Sequence, residues 1–295
     1  MKTSSNSSTT TEIEKYVYDI LKQSKSFDIF PTPVEKIVHF AELNIDKQHG
    51  LHNIPNHYIS KKMDALISAL KKVYGALDRR EKIIYLNPTL NNGKKSFVQL
   101  HEVGHHVLPW QREVFEFLEN DESLSPDVEE KFEAEANNFA SHALFQLGRF
   151  EREISSLPLS LATIRHLSAK FGASLQATFR RYVERSPKRV GLLVLNKPDH
   201  YGDSLGLRNW IMSSRFACTY PGIEFPELFS KKWAFVRAYY SNRRYVDTPH
   251  PLNVTIESEE VKLEYRYFDN KHNIFVLITP SGEKISSRAR IITPW

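Results

Sequence analysis

His101-Glu102-Val103-Gly104-His105 decides how this chain of 295 residues is read. Two imidazoles stand four positions apart, with a carboxylate directly after the first. On a helix, positions i and i+4 share a face, so both rings reach one metal ion. Glu102 is then placed to handle protons of a water bound to that ion. The spacing points to a zinc-dependent hydrolase, with a peptidase as the first expectation. Around the motif, Lys94 to Leu108 is predicted as a helix stopped by Pro109. At about 100° per residue, Leu100, Val103 and Val107 form one apolar stripe, and His101 and His105 fall opposite. Gly104 costs about 1 kcal/mol in a helix relative to Ala, so a close approach of backbone or metal is expected there.

A catalytic zinc needs a third protein ligand and an open fourth position. Ser125 and Pro126 read as the N-cap and first residue of a second helix. Its apolar stripe (Phe132, Ala136, Phe139, Ala140, Ala143, Leu144) contains Glu133, whereas Glu135 falls outside it. A carboxylate directed into apolar packing is costly unless it is paired or metal-bound, which makes Glu133 the expected third ligand. Glu129, one turn earlier on the same face, is the rival on geometry. The expected metal set is therefore His101, His105 and Glu133, with Glu102 as catalytic base. Such a set takes manganese or another divalent ion as well as zinc. His106 points about 100° away from His105 and is expected beside the site or at the surface, not as a ligand.

Several stretches together resemble the ImmA/IrrE family of zinc metallopeptidases. Phe97 to His105 is similar to that family's F-x-x-x-H-E-x-G-H signature. Glu133-Ala134-Glu135-Ala136-Asn137-Asn138-Phe139-Ala140 resembles its E-x-x-A-[ND]-x-F-A helix, whose first Glu is a metal ligand. Gly75-Ala76-Leu77 with Ile83 to Asn87 is similar to the short strands before the active-site helix. Phe171-Gly172-Ala173-Ser174 with Leu175 to Val183 resembles the segment that closes the region, and Pro31-Thr32-Pro33-Val34 its N-terminal part. The resemblance spans about residues 30 to 185. It implies a zincin-like, mostly helical peptidase domain with a short β-sheet. It also implies a cytoplasmic enzyme that cleaves a regulatory protein, such as a helix-turn-helix transcriptional repressor, in stress response or mobile-element control. Ser141 to Gln146 departs from the family's leucine- and proline-rich ending, which affects contacts on the substrate side.

The rest of the chain sets limits. Apolar content of 41% and charged content of 25% fit an ordinary globular protein. The absence of a long apolar run predicts no membrane span, and Met1 to Asn6 lacks the apolar core of a signal peptide. The single cysteine, Cys218, excludes an intrachain disulfide, fits a reducing compartment and is read as structural. Residues 1–185 carry 24 basic and 24 acidic side chains, so the net charge of +5 sits entirely in the last third, with 16 of the 35 aromatics. Trp233 to Tyr245, flanked by Lys231 and Lys232 and containing Arg237, Arg243 and Arg244, could stack on single-stranded nucleic acid. Ordinary strands with solvated charges are the plainer reading.

Residues 1–11 are Ser/Thr-rich and expected to be disordered. Ile13, Val17, Ile20 and Leu21 follow helical spacing. Thr32, Pro33 and Glu35 suggest a capping box. A helix is predicted over Met63 to Val73, then strands near 74–77 and 82–86, the two metal-site helices, and an acidic loop around Glu116 to Asp127. Leu159 to Phe171 and Ser174 to Val183 make a helix-turn-helix-like hairpin, which either completes the peptidase domain or places Arg180, Arg181 and Arg185 on DNA phosphates. Beyond Pro187, Val190 to Leu195, the alternation of Val261, Leu263, Tyr265 and Tyr267, and Ile274 to Ile278 read as strands. The expected fold is thus α+β: a peptidase domain over 12–186 and a β-rich C-terminal domain over 187–295, sensory or partner-binding. The competing function is a catalytically silent zinc-binding scaffold that binds DNA or a protein through the basic, aromatic-rich C-terminal region.

Overall fold

The computed structural model describes residues 4–46, 74–117, 124–196, 202–241, 243–256 and 259–282. The helix expected over Met63 to Val73 lies outside them. By packing, the chain divides into two units, Met1–Phe150 with Ser168–Ser174, and Glu151–Leu167 with Leu175–Trp295. The architecture is α+β, with a helical body and a separate antiparallel sheet.

In the first unit, α1 (Ser4–Gln23) begins within the Ser/Thr-rich stretch for which no order was expected. Its Ile13, Val17, Ile20 and Leu21 are buried, as the helical spacing of those residues requires. Helix α2 (Val34–Phe40) is short and lacks a side-chain cap. No side chain caps it at the expected capping box; the Thr32 hydroxyl instead donates to the Leu144 carbonyl at 2.7 Å and accepts from the Gln146 amide at 3.1 Å. Three short strands, β1 (Asn44–Asp46), β2 (Gly75–Asp78) and β3 (Ile83–Leu86), form a sheet in the order β1-β3-β2. Strand β1 runs parallel to β3, and β2 is antiparallel to it. Helix α3 (Asn92–Val107) packs on β2 and β3 and, along its length, on α5 (Pro126–Leu144). Between them, α4 (Pro109–Phe117) occupies ground read from sequence as a stop followed by loop. Pro109 ends one helix and begins the next, since its missing N–H is no loss at a first helical position.

The second unit is built on a six-stranded sheet in the order β6-β5-β4-β9-β8-β7. Its strands are β4 (Gly191–Asn196), β5 (Leu205–Met212), β6 (Leu228–Phe229), β7 (Tyr245–Ile256), β8 (Glu259–Asp269) and β9 (Ile274–Pro280). All observed pairings are antiparallel. Central strands β4 and β9 are buried on both faces, which explains their unbroken apolar runs. One face carries α9 (Ser214–Thr219), α10 (Ala234–Tyr240) and a core that includes Phe216, Phe229, Phe235, Tyr265 and Tyr267. Against β4 and β5 lies α8 (Leu175–Arg185), whose Phe179 ring stacks on Phe275 with centroids 4.5 Å apart and planes 3° from parallel.

The preceding helices are α6 (Gly148–Ser156) and α7 (Leu161–Phe171). The boundary expected at 186 is therefore displaced, since most of the α7–α8 hairpin groups with the sheet. The hairpin's arginines do not form a phosphate-binding row. Arg181 is buried and meets Glu151 at 3.0 Å, Arg185 meets the same carboxylate at 3.6 Å, and Arg180 pairs with Glu184 at 2.8 Å. In the basic, aromatic stretch from Trp233 to Tyr245, Phe235 is fully buried and Trp233, Tyr239 and Tyr240 pack on the same core, while Tyr245 is exposed. Cys218, read from sequence as structural, is exposed. Among the described residues, no helix is long and apolar enough to cross a membrane.

Candidate metal centre

Local sequence explains why α3 presents its imidazoles as it does. Asn91 caps the helix, its side-chain oxygen accepting from the Lys94 N–H at 3.0 Å. At the other end, Arg79 in the β2–β3 turn donates to the His105 carbonyl at 3.2 Å, a cation placed where helix carbonyls are left over. Leu100 and Val103 are fully buried and hold the opposite side of the helix against the core. Gly104 marks the crossing with α5: a Cβ there would meet Phe139 Cβ at 3.2 Å and Ala136 Cα at 3.3 Å. The glycine thus answers to a close approach between helices, one of the two reasons its position suggested.

That approach brings His101, His105 and Glu133 together. The two imidazole Nε2 atoms lie 3.0 Å apart. Glu133 reaches His101 Nε2 with one carboxylate oxygen at 3.3 Å and His105 Nε2 with the other at 3.2 Å. Tetrahedral zinc with ligands at about 2.0–2.1 Å needs donor atoms about 3.3 Å apart; each of these contacts is near that spacing, one ligand atom from each residue lies within 4.8 Å of the others, and the N, N, O donor chemistry fits. Each ring is also held from behind: His101 Nδ1 faces Asn137 Oδ1 at 3.1 Å, and His105 Nδ1 faces Gln111 Oε1 at 2.7 Å. Outer partners of this kind leave the inner nitrogen for a metal. Among the described residues this is the one such group of three. Glu129 is exposed and not part of it.

The reason given for Glu133 needs correcting, although the residue is the one that converges. Its side chain is 54% exposed, facing the imidazoles and solvent. It is Glu135 that is buried, accepting from the Trp110 indole N–H at 2.6 Å and the Gln111 amide at 2.9 Å. Burial next to apolar side chains therefore identified the wrong carboxylate of the pair.

The electrostatics separate the acids. Close contacts of its oxygens with the His101 and His105 rings hold the Glu133 carboxyl far below the ordinary range, against a smaller opposing effect of burial. Burial pushes the Glu102 carboxyl up, opposed by the neighbouring imidazoles and Arg79 and reinforced by Glu133. Burial would lower His101, but the Glu133 hydrogen bond and the charges of Glu102 and Glu133 outweigh it and raise the ring. His106 is pushed down by burial and by the nearby cations Lys82, Arg79 and Arg112. It does not join the cluster.

The family model of the IrrE N-terminal-like domain, within the M78 peptidases, matches residues 62–182. That stretch is similar to an IrrE N-terminal-like domain. The match covers both metal-site helices, and it supports the ImmA/IrrE resemblance seen in the motifs. No curated protein matches the chain. Among solved structures, a Mycobacterium tuberculosis transcriptional regulator is similar with a TM-score of 0.53, over 92% of this chain and 76% of that one. At 14% identity the likeness concerns the fold alone. Sequence reasoning named the three side chains that converge but missed the surrounding Gln111, Trp110, Glu135, Asn137 and Arg79. Pro109 was the available signal for a second helix rather than a stop.

Proposed function

We propose that this chain is a zinc-dependent endopeptidase acting on a regulatory protein, with His101, His105 and Glu133 holding the ion and Glu102 as general base. One observation carries the reading: two ring nitrogens 3.0 Å apart on one helix meet a carboxylate from another, whose two oxygens lie 3.2 and 3.3 Å from them, with a buried fourth group, Glu102, in the same electrostatic neighbourhood. A zinc ion held there would lower the pKa of its bound water from about 16 toward about 7 and polarise a carbonyl. Glu102 then takes the proton of the attacking water on a carboxylate oxygen and delivers it to the leaving amine nitrogen. Burial raises its affinity for protons, the direction a proton-accepting group needs. Asn137 and Gln111 keep the two rings aimed inward. Manganese or another divalent ion would be held by the same donors.

A silent scaffold has no use for Glu102 and more often supplies four ligands than three. The substrate proposed is a helix-turn-helix repressor, from the family resemblance. Incubating the chain with a candidate repressor, with and without chelator, and reading products by mass spectrometry tests the reading. Chelator-sensitive cleavage at one site is expected; cleavage unaffected by chelator would overturn it.

A further inference from the structure

Gln111 is fully buried behind His105, and its carboxamide has three polar neighbours. Its Oε1 lies 2.7 Å from His105 Nδ1, while its Nε2 lies 3.1 Å from the Phe132 carbonyl oxygen and 2.9 Å from Glu135 Oε2. A backbone carbonyl and a carboxylate are both acceptors. The Trp110 indole, which only donates, sits on the same Glu135 oxygen at 2.6 Å. Turning the amide over would set its oxygen against two oxygens in a fully buried site. The NH₂ group must therefore face Phe132 and Glu135, and Oε1 must face the imidazole. An oxygen 2.7 Å from Nδ1 requires the proton on Nδ1. In the neutral ring that leaves the lone pair on Nε2, the nitrogen that faces His101 and Glu133.

We infer that Gln111 is a positioning residue that locks His105 in its Nδ1–H tautomer before any ion arrives, its own amide being oriented by Glu135, Trp110 and the Phe132 carbonyl. His101 is controlled less strictly, because its partner Asn137 is exposed and water competes for the contact. An unconstrained imidazole prefers its proton on Nε2, so the lock removes a rearrangement that metal binding would otherwise require. The inference rests on His105 being a metal ligand only for its consequence, not for the tautomer itself.

Long-range ¹⁵N–¹H correlation spectra of the metal-free full chain read the tautomer directly, with His105 assigned by its loss in His105→Gln. The expected pattern is Nδ1–H for His105 in the wild-type chain. Gln111→Leu should shift it toward Nε2–H and weaken zinc binding by about 10–100-fold. Glu135→Gln still offers an amide oxygen to Trp110 and Gln111, so it should keep the wild-type tautomer. A wild-type His105 protonated on Nε2 overturns the inference, as does a folded Gln111→Leu with an unchanged tautomer. Should Gln111→Leu not fold, the wild-type spectrum decides alone. A locked tautomer in a chain that takes up no zinc would support the lock while sinking the metallopeptidase reading.

Discussion

Glu102 and Glu133 flank the same imidazole pair, yet their surroundings drive them in opposite directions. Glu133, in contact with both rings, is held toward its ionised form, as a ligand must be; burial pushes Glu102 toward its protonated form. Carboxylates whose affinities are pushed apart divide into distinct chemical roles. Glu102→Gln is expected to bind metal as the wild type does while peptide cleavage falls by about 10²–10⁴-fold. Rates measured beside metal content check this, and full cleavage by the variant would refute the assigned base. Glu133→Ala should weaken zinc binding by at least about 100-fold, whereas Glu129→Ala should leave it unchanged, read by competition with a chromophoric chelator. The histidines and Glu102 were legible because their relation is local, four residues on one helix. Glu133 was reached on a faulty warrant. The 3.6-residue period locates an apolar arc but not the opening of a cleft beside it, and Glu135, outside the arc, is the carboxylate that sinks into the protein.

Helices α3 and α5 grip the site from two sides, and Gly104 sets how closely they pack. Gly104→Ala improves helix propensity by about 1 kcal/mol but meets Cβ of Phe139 and Cα of Ala136, atoms that cannot rotate away. The helices must separate by a few tenths of an ångström. The expected result is an intact circular dichroism spectrum with zinc affinity lowered several-fold; unchanged affinity would show that the crossing tolerates a methyl group. In the second unit, Asp247 on β7 has a comparable role. It accepts from the Leu161 and Ala162 N–H groups at the start of α7, at 2.7 and 3.2 Å, and from the Tyr245 hydroxyl at 2.9 Å. It also faces buried Arg266 at 3.8 Å. Asp247→Ala removes a helix cap and leaves a buried guanidinium without its carboxylate, a loss of about 3 kcal/mol in denaturant unfolding. Asp247→Asn, which keeps the acceptor, should lose less. None of this was readable from the chain, because a cap supplied from 86 residues away leaves no local pattern. Arg266 was hidden too: the alternation of Val261, Leu263, Tyr265 and Tyr267 reads as a half-buried strand, whereas Arg266 on the other face is itself buried.

Across the whole molecule, element types followed from periodicity and turn residues, while the grouping of elements did not. A break at Pro187 suggested a peptidase domain ending near 186, but Phe179 stacks on Phe275 and Arg181 is buried against Glu151 within the sheet-containing unit. A fragment ending at residue 186 would strip Phe179 of that cover. It should aggregate or bind hydrophobic dyes when expressed, and a monodisperse, cooperatively unfolding fragment would contradict the division. The account as a whole depends on one ion held by His101, His105 and Glu133. Elemental analysis of the full chain, loaded with zinc and desalted, tests that most directly. About one zinc per chain is predicted for the wild type and almost none for His101→Ala/His105→Ala. A wild-type chain without stoichiometric metal, or a double variant that keeps it, would contradict the account.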